Sequence, residues 1–106
     1  MTTNSFKLIS SSSVSAIADS LINTAPAAST MVVHSIYLTN VGDALTFANV
    51  KVFDSSTTVS SHIAYNVQIP SKETLIFDKP LNLESGDALY VRGANLEITV
   101  SALEIS

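Results

Sequence analysis

The chain has 106 residues, of which 46% are hydrophobic and only 13% charged, with a net charge of −4 and no cysteine. One domain of this length buries roughly two-thirds of its unfolded surface around a single core. The five Lys and Arg residues are scattered, which excludes the clustered cations that nucleic acid needs; the lack of cysteine excludes disulfides and thiolate metal sites.

No apolar run approaches the roughly 20 residues of a membrane span. The first residues, MTTNSFKLISSSS, lack the basic-then-apolar order of a secretory signal, so a soluble protein is expected. Serine and threonine make up about a quarter of the chain. They can coat the outer face of a sheet without charge, and threonine favours strands. So apolar a composition leaves surface for a partner.

In chain order, Phe6, Leu8 and Ile9 form a short apolar patch before four serines at 10–13. This reads as an N-terminal arm or as an edge strand continued through Val14 and Ala16, giving a division into residues 1–15 and a sandwich domain of 16–106. Residues 16–23, AIADSLIN, fit a helical turn as well as a strand, and Asn23-Thr24-Ala25-Pro26 ends them. From Thr30 the period of two is plain: Val32, His34, Ile36 and Leu38 alternate with Val33, Ser35, Tyr37 and Thr39. Asn40-Val41-Gly42-Asp43 has turn chemistry. Residues 47–53 set Ala48, Val50 and Val52 against Phe47, Asn49, Lys51 and Phe53, apolar on both faces as an interior or interface strand would be. Residues 54–58 are a loop. Residues 60–69 then place Ile63, Tyr65, Val67 and Ile69 on a core face opposite His62, Ala64, Asn66 and Gln68.

After a turn at Pro70-Ser71-Lys72, Leu75 and Phe77 oppose Ile76. Residues 79–94 read as a β-hairpin: Leu81 and Leu83 alternate, Ser85-Gly86-Asp87 turns with Gly86 at positive φ, and Leu89 and Val91 resume the alternation. Pro80 suits the start or the edge of a strand. The last strand, 96–105, carries Leu96, Ile98, Val100 and Ala102 on one face but Leu103 and Ile105 on the other, which asks for a bulge near Ser101 or burial on both sides. Seven strands and an eighth at the N-terminus, without helical periodicity, predict an all-β, antiparallel β-sandwich of jelly-roll or Greek-key type; a closed barrel is the alternative.

The chemistry-bearing residues form no catalytic pattern. His34 and His62, the two histidines, lack ligand spacing, so no metal site is expected; His34 is read as a partly buried strand residue and His62 as solvated. There is no G-x-S-x-G elbow and no phosphate-cradling glycine loop. Asp43, Asp54, Asp78, Glu84 and Asp87 sit in or beside turns, where carboxylates cap backbone donors. Sugar platforms rely on exposed Trp and Tyr; the chain has no Trp, and Tyr37, Tyr65 and Tyr90 lie within strands. No enzyme activity and no cofactor are expected.

Two passages, VVHSIYLTNVGDALTFANVKVFDSS and HIAYNVQIPSKETLIFDKPLNLESGDALYVRGANLEITVSALEI, resemble small virion structural proteins of tailed bacteriophages, including cyanophage head-decoration or cement proteins. The resemblance covers roughly residues 30–105 and rests on the HSIYLTN strand, the proline-led turn with L-x-x-G-D-x-L, and the closing ITVSALEI. It implies a non-enzymatic decoration subunit on the outer head surface, bound to the major capsid protein. A neck, tail or tail-fibre module is the alternative, and a sugar-binding adhesin the outside class. Apolar composition and two-sided strands further predict a homo-oligomer, with a trimer as the first choice. Phe6 and Leu8 from the N-terminal patch, with Phe47 and Phe53 from the two-sided strand, are the candidate interface residues.

Overall fold

The computed structural model describes residues 4–11 and 17–105, and among them nine strands and no helix. The strands are β1 (Asn4–Ser11), β2 (Ser20–Thr24), β3 (Thr30–Asn40), β4 (Thr46–Asp54), β5 (Val59–Ile69), β6 (Thr74–Phe77), β7 (Leu81–Leu83), β8 (Ala88–Arg92) and β9 (Leu96–Ile105). One sheet runs β1-β9-β3-β6, with β7 also paired to β3; the other runs β2-β8-β4-β5, and every pairing is antiparallel. β7 lies beside residues 31–33 of β3 and β6 beside residues 36–39. The two are therefore one strand interrupted at Asp78-Lys79-Pro80, where proline has no N–H to give a ladder. Counted so, each sheet has four strands, and apart from the β4–β5 hairpin every connection crosses to the opposite sheet. That is a jelly roll, one of the two expected topologies, and not a closed barrel.

The inner rows of both sheets meet in one core, with Met31, Leu38, Ile69, Leu83, Leu89 and Ile98 among its largest fully buried side chains. Asn40 is buried among them at the end of β3. Its Nδ2 donates to the carbonyls of Ala44 (2.8 Å) and Ile69 (2.9 Å), while the Gly42 N–H donates to its Oδ1 (2.9 Å). One side chain thus closes the 40–44 turn and ties it to the end of β5.

The strand positions agree with the period-two reading, but two phases do not. β3 takes an extra residue against β9 between Val33 and Ser35, so His34 sits on a bulge and is exposed rather than partly buried. Met31 and Val33 face the core before that bulge, and Ile36 and Leu38 after it. The irregularity sought near Ser101 of β9 is thus on the strand facing Ser101. In β5, shifts against β4 between Ala48 and Val50 and between Val50 and Lys51 turn Ala64 inward, leaving Ile63 and Tyr65 exposed instead of on the core face. Asn66 beside them adopts φ 50°, a left-handed conformation that asparagine tolerates.

Residues 79–94 are not a hairpin. β7 belongs to one sheet and β8 to the other, and the 84–87 turn is a corner between them. Leu81 and Leu83 face Leu89 and Val91 across the core, a pattern that alternation alone cannot distinguish from pairing. The corner is held by Asp87, whose N–H donates to the Glu84 carbonyl (2.9 Å) and whose carboxylate accepts the Glu84 N–H (2.9 Å) and the Ser55 N–H (2.9 Å). Gly86 has φ 86°, as its place in the turn requires. Near the N-terminus, Ser20–Thr24 settle the helix-or-strand ambiguity as a strand, and Asn4–Ser11 form a strand along β9. The proposed continuation through Val14 and Ala16 lies outside the described residues.

Candidate interaction face

The titratable groups of this fold are dispersed. His34 is exposed on the first sheet, and His62 on the second packs edge-on against Tyr65 at 4.9 Å between ring centres. Among the described residues no three His, Asp or Glu side chains converge on a point where a metal could sit. The turn carboxylates are occupied locally. Asp54 accepts the Ser56 hydroxyl (2.7 Å) and N–H (3.0 Å), which hold its carboxyl below the usual range, and Asp43 pairs with Lys72 at 3.2 Å on the surface. The first is a turn cap and the second a surface ion pair.

The sheets differ in what they turn outward. In antiparallel pairs, residues directly opposite one another point to the same side. On β2-β8-β4-β5 this places Lys51 beside Tyr90 and His62, and Asn49 beside Arg92. Lys51 reaches Asp19, and its Nζ lies 5.8 Å from the Tyr90 ring centre. Its hydrogen bond, more than the charge, lowers the Asp19 pKa. This face carries Lys51, Arg92 and His62, interspersed with the exposed side chains of Leu21, Phe47 and Tyr65.

The outer face of β1-β9-β3-β6 is different. Phe6 lies opposite Leu103, which lies opposite Val32; Leu8 lies opposite Ser101, and Tyr37 opposite both Thr99 and Ile76. Thr39 and Thr74 share a hydroxyl hydrogen bond of 3.0 Å on the same side. Of the paired positions on this face, Glu97 alone among the described residues is charged. Phe6 is 83% exposed, Leu8 73% and Ile76 52%. An apolar stripe, bordered by hydroxyls, crosses the sheet. At its far margin the β6–β7 interruption opens a groove of about 320 Å³ lined by Ile36, Ile63, Ile76, Phe77, Pro80 and Leu81, together with Asp78 and Lys79.

The four residues singled out in the sequence do not form one patch. Phe6 and Leu8 lie on the outer face of the first sheet; Phe47 and Phe53 lie on that of the second, Phe53 half-buried opposite Ala88 and Ser60. Tyr37, Ile76, Leu103 and Val32, which share the face of Phe6 and Leu8, were not singled out. Their signal was present as apolar residues out of phase with their own strands: Ile76 against Leu75 and Phe77, and Leu103 against Ala102.

No protein-family model matches the chain, and no curated protein matches it. In fold, it is similar to a chain of the T13 viral particle of IBDV, with a TM-score of 0.57 and 10% identity over 96% of this chain and 30% of that one. A chain from infectious bursal disease virus, Gt strain, aligns over 99% of this chain and 32% of its own length, at 10% identity and a TM-score of 0.40. The chain thus spans about a third of the length of these neighbours. At such identity the likeness is one of fold: the two-sheet architecture described above also occurs in a chain of a virus particle.

Proposed function

We propose that this chain is a non-enzymatic structural component of a virus particle. Within that class we read it as a decoration or cement subunit on the head of a tailed bacteriophage, lying on the shell through the outer face of β1-β9-β3-β6. The observation that carries the reading is that face, apolar and hydroxyl-rich, with Glu97 the one charge among its described paired positions, whereas the opposite face sets Lys51 and Arg92 among its exposed apolar side chains. Its partners are then the major shell protein and neighbouring copies of itself. A shared fold with a virus-particle chain supports the class, and the passages within residues 30–105 support the narrower assignment.

Magnitudes fit a lattice better than a solitary complex. Fully covering an apolar side chain is worth about 1.5–3 kcal/mol. Partly covering Phe6, Leu8, Tyr37 and Ile76 therefore contributes an amount similar to the roughly 4–15 kcal/mol cost of association. A single contact is weak, and a neighbour already held in place raises the effective concentration for the next.

The reading is tested by adding purified chain to particles stripped of it and measuring retention. Tyr37→Lys and Ile76→Lys put charge on the docking face while leaving the core untouched, and each is expected to lower retention at least tenfold, about 1.4 kcal/mol. Tyr65→Lys, on the opposite sheet, should bind as the parent does. Equal loss in all three, or none in the first two, contradicts this docking face; a hit in a glycan screen would favour an adhesin.

A further inference from the structure

Four strand edges end the two sheets, and three of them are blocked against further pairing. β5 carries two register shifts and the left-handed Asn66; the β6–β7 edge is broken around Pro80; β2 has five residues and a shift between Leu21 and Asn23. Bulges, prolines and shortness are the usual protections of a sheet edge. β1 has no bulge and no proline and is eight residues long; Lys7 is the one edge guard among its described residues. Its eight residues keep one unbroken register against residues 98–105 of β9, and among the described strands β9 is its sole ladder partner. The apolar stripe is also most exposed here: Leu103 and Val32 are half-buried, whereas Phe6 and Leu8 are 83% and 73% exposed. What would cover their open flank lies beyond β1, in the plane of the sheet.

We propose that β1 pairs antiparallel with β1 of a second copy, across a two-fold axis normal to the sheet, with Leu8 at the axis. A free strand edge accepts a strand, and the other edges of this chain are blocked, so head-to-tail addition is barred and the self-complementary pairing remains. Such an axis keeps both outer faces on one side, which requires opposed residues to share a face. Centring on Lys7 sets two like charges directly opposite, a destabilising arrangement. Centring on Phe6 pairs only residues 4–8 among the described residues of β1. Centring on Leu8 pairs residues 5–11, places Lys7 opposite Ile9 and Phe6 opposite Ser10, and joins the two apolar stripes. The symmetry is two-fold, so the isolated chain is a dimer where composition had suggested a trimer.

The pairing deepens the reading of the chain as a self-associating particle subunit, yet it is measured on the purified chain alone, so either can fail without the other. The absence of native cysteine makes single-cysteine variants clean reporters. Under mild oxidation Leu8→Cys should form a covalent dimer at least about fivefold faster than Phe6→Cys, because opposed Cβ atoms lie about 4.5–5.5 Å apart and within reach of a disulfide. Tyr65→Cys on the β5 edge should form no covalent dimer. Faster dimerisation of Phe6→Cys overturns the register, and equal rates in all three overturn the pairing. The unmodified chain provides a second measurement: a single monomeric species in sedimentation up to roughly 100 µM would also overturn it.

Discussion

Asn40 is the residue at which a turn, a strand end and the core depend on one polar side chain. Replacing it with alanine leaves the Gly42 N–H and the Ala44 and Ile69 carbonyls without their partner in a site that is 0% exposed. Each buried group so orphaned costs about 1–3 kcal/mol, less what water entering the space recovers. Asn40→Ala should therefore lower stability by about 2–4 kcal/mol in urea denaturation, with the fold retained. A loss below about 0.5 kcal/mol, the scale of an ordinary surface substitution, would contradict this role. The sequence marked residues 40–43 as a turn from residue types alone, but not the burial of Asn40, because its acceptor Ile69 is 29 residues away. Gly86 was legible because its conformation is local. His34 was misplaced because the bulge beneath it depends on the register against β9, a property of the pair of strands.

The strands from Thr30 onward were visible in the alternation, since one face of each meets the core; the partner of each strand was not. The 79–94 passage shows why: two inward rows facing each other across a sandwich repeat with the same period as two rows paired side by side. β5 misled in another way, because two added residues change which parity faces inward. β2 was ambiguous for want of length, and its attachment includes the ion pair between Asp19, just before it, and Lys51 of β4. The Asp19 pKa lies below its ordinary 3.8, chiefly through the Lys51 hydrogen bond. A lowered folded-state pKa adds stability that is present above the unfolded value and lost as pH falls through the folded one. The side chains are 25% and 28% exposed, so the pair is worth about 0.5 kcal/mol after solvent screening. Asp19→Asn should accordingly be about 0.5 kcal/mol less stable than the parent at pH 7, with a smaller difference near pH 2 as the parent carboxyl takes up its proton. A difference unchanged between the two pH values would place the effect in packing instead of charge.

At the scale of the molecule, both outer faces of this jelly roll expose apolar side chains but differ in charge, with Glu97 alone charged among the described paired positions of one and Lys51 and Arg92 on the other, and that difference underlies the functional reading. Composition had foreshadowed it, since a chain with so little charge cannot clothe both faces with ions. Which residues share the apolar face was hidden until the register aligned Phe6, Leu103 and Val32 across three strands. β1 is part of that face, so truncating residues 2–13 would strip an edge strand from the sheet, and point changes are the sharper probe. The central claim, that this chain is a structural part of a particle, is tested most directly by its copy number on purified virions, measured by quantitative mass spectrometry against the major shell protein. A decoration subunit predicts a fixed ratio to that protein, on the order of hundreds of copies following the symmetry of the shell. About a dozen copies would move it to the neck or tail, and a pure particle lacking the chain would contradict the account.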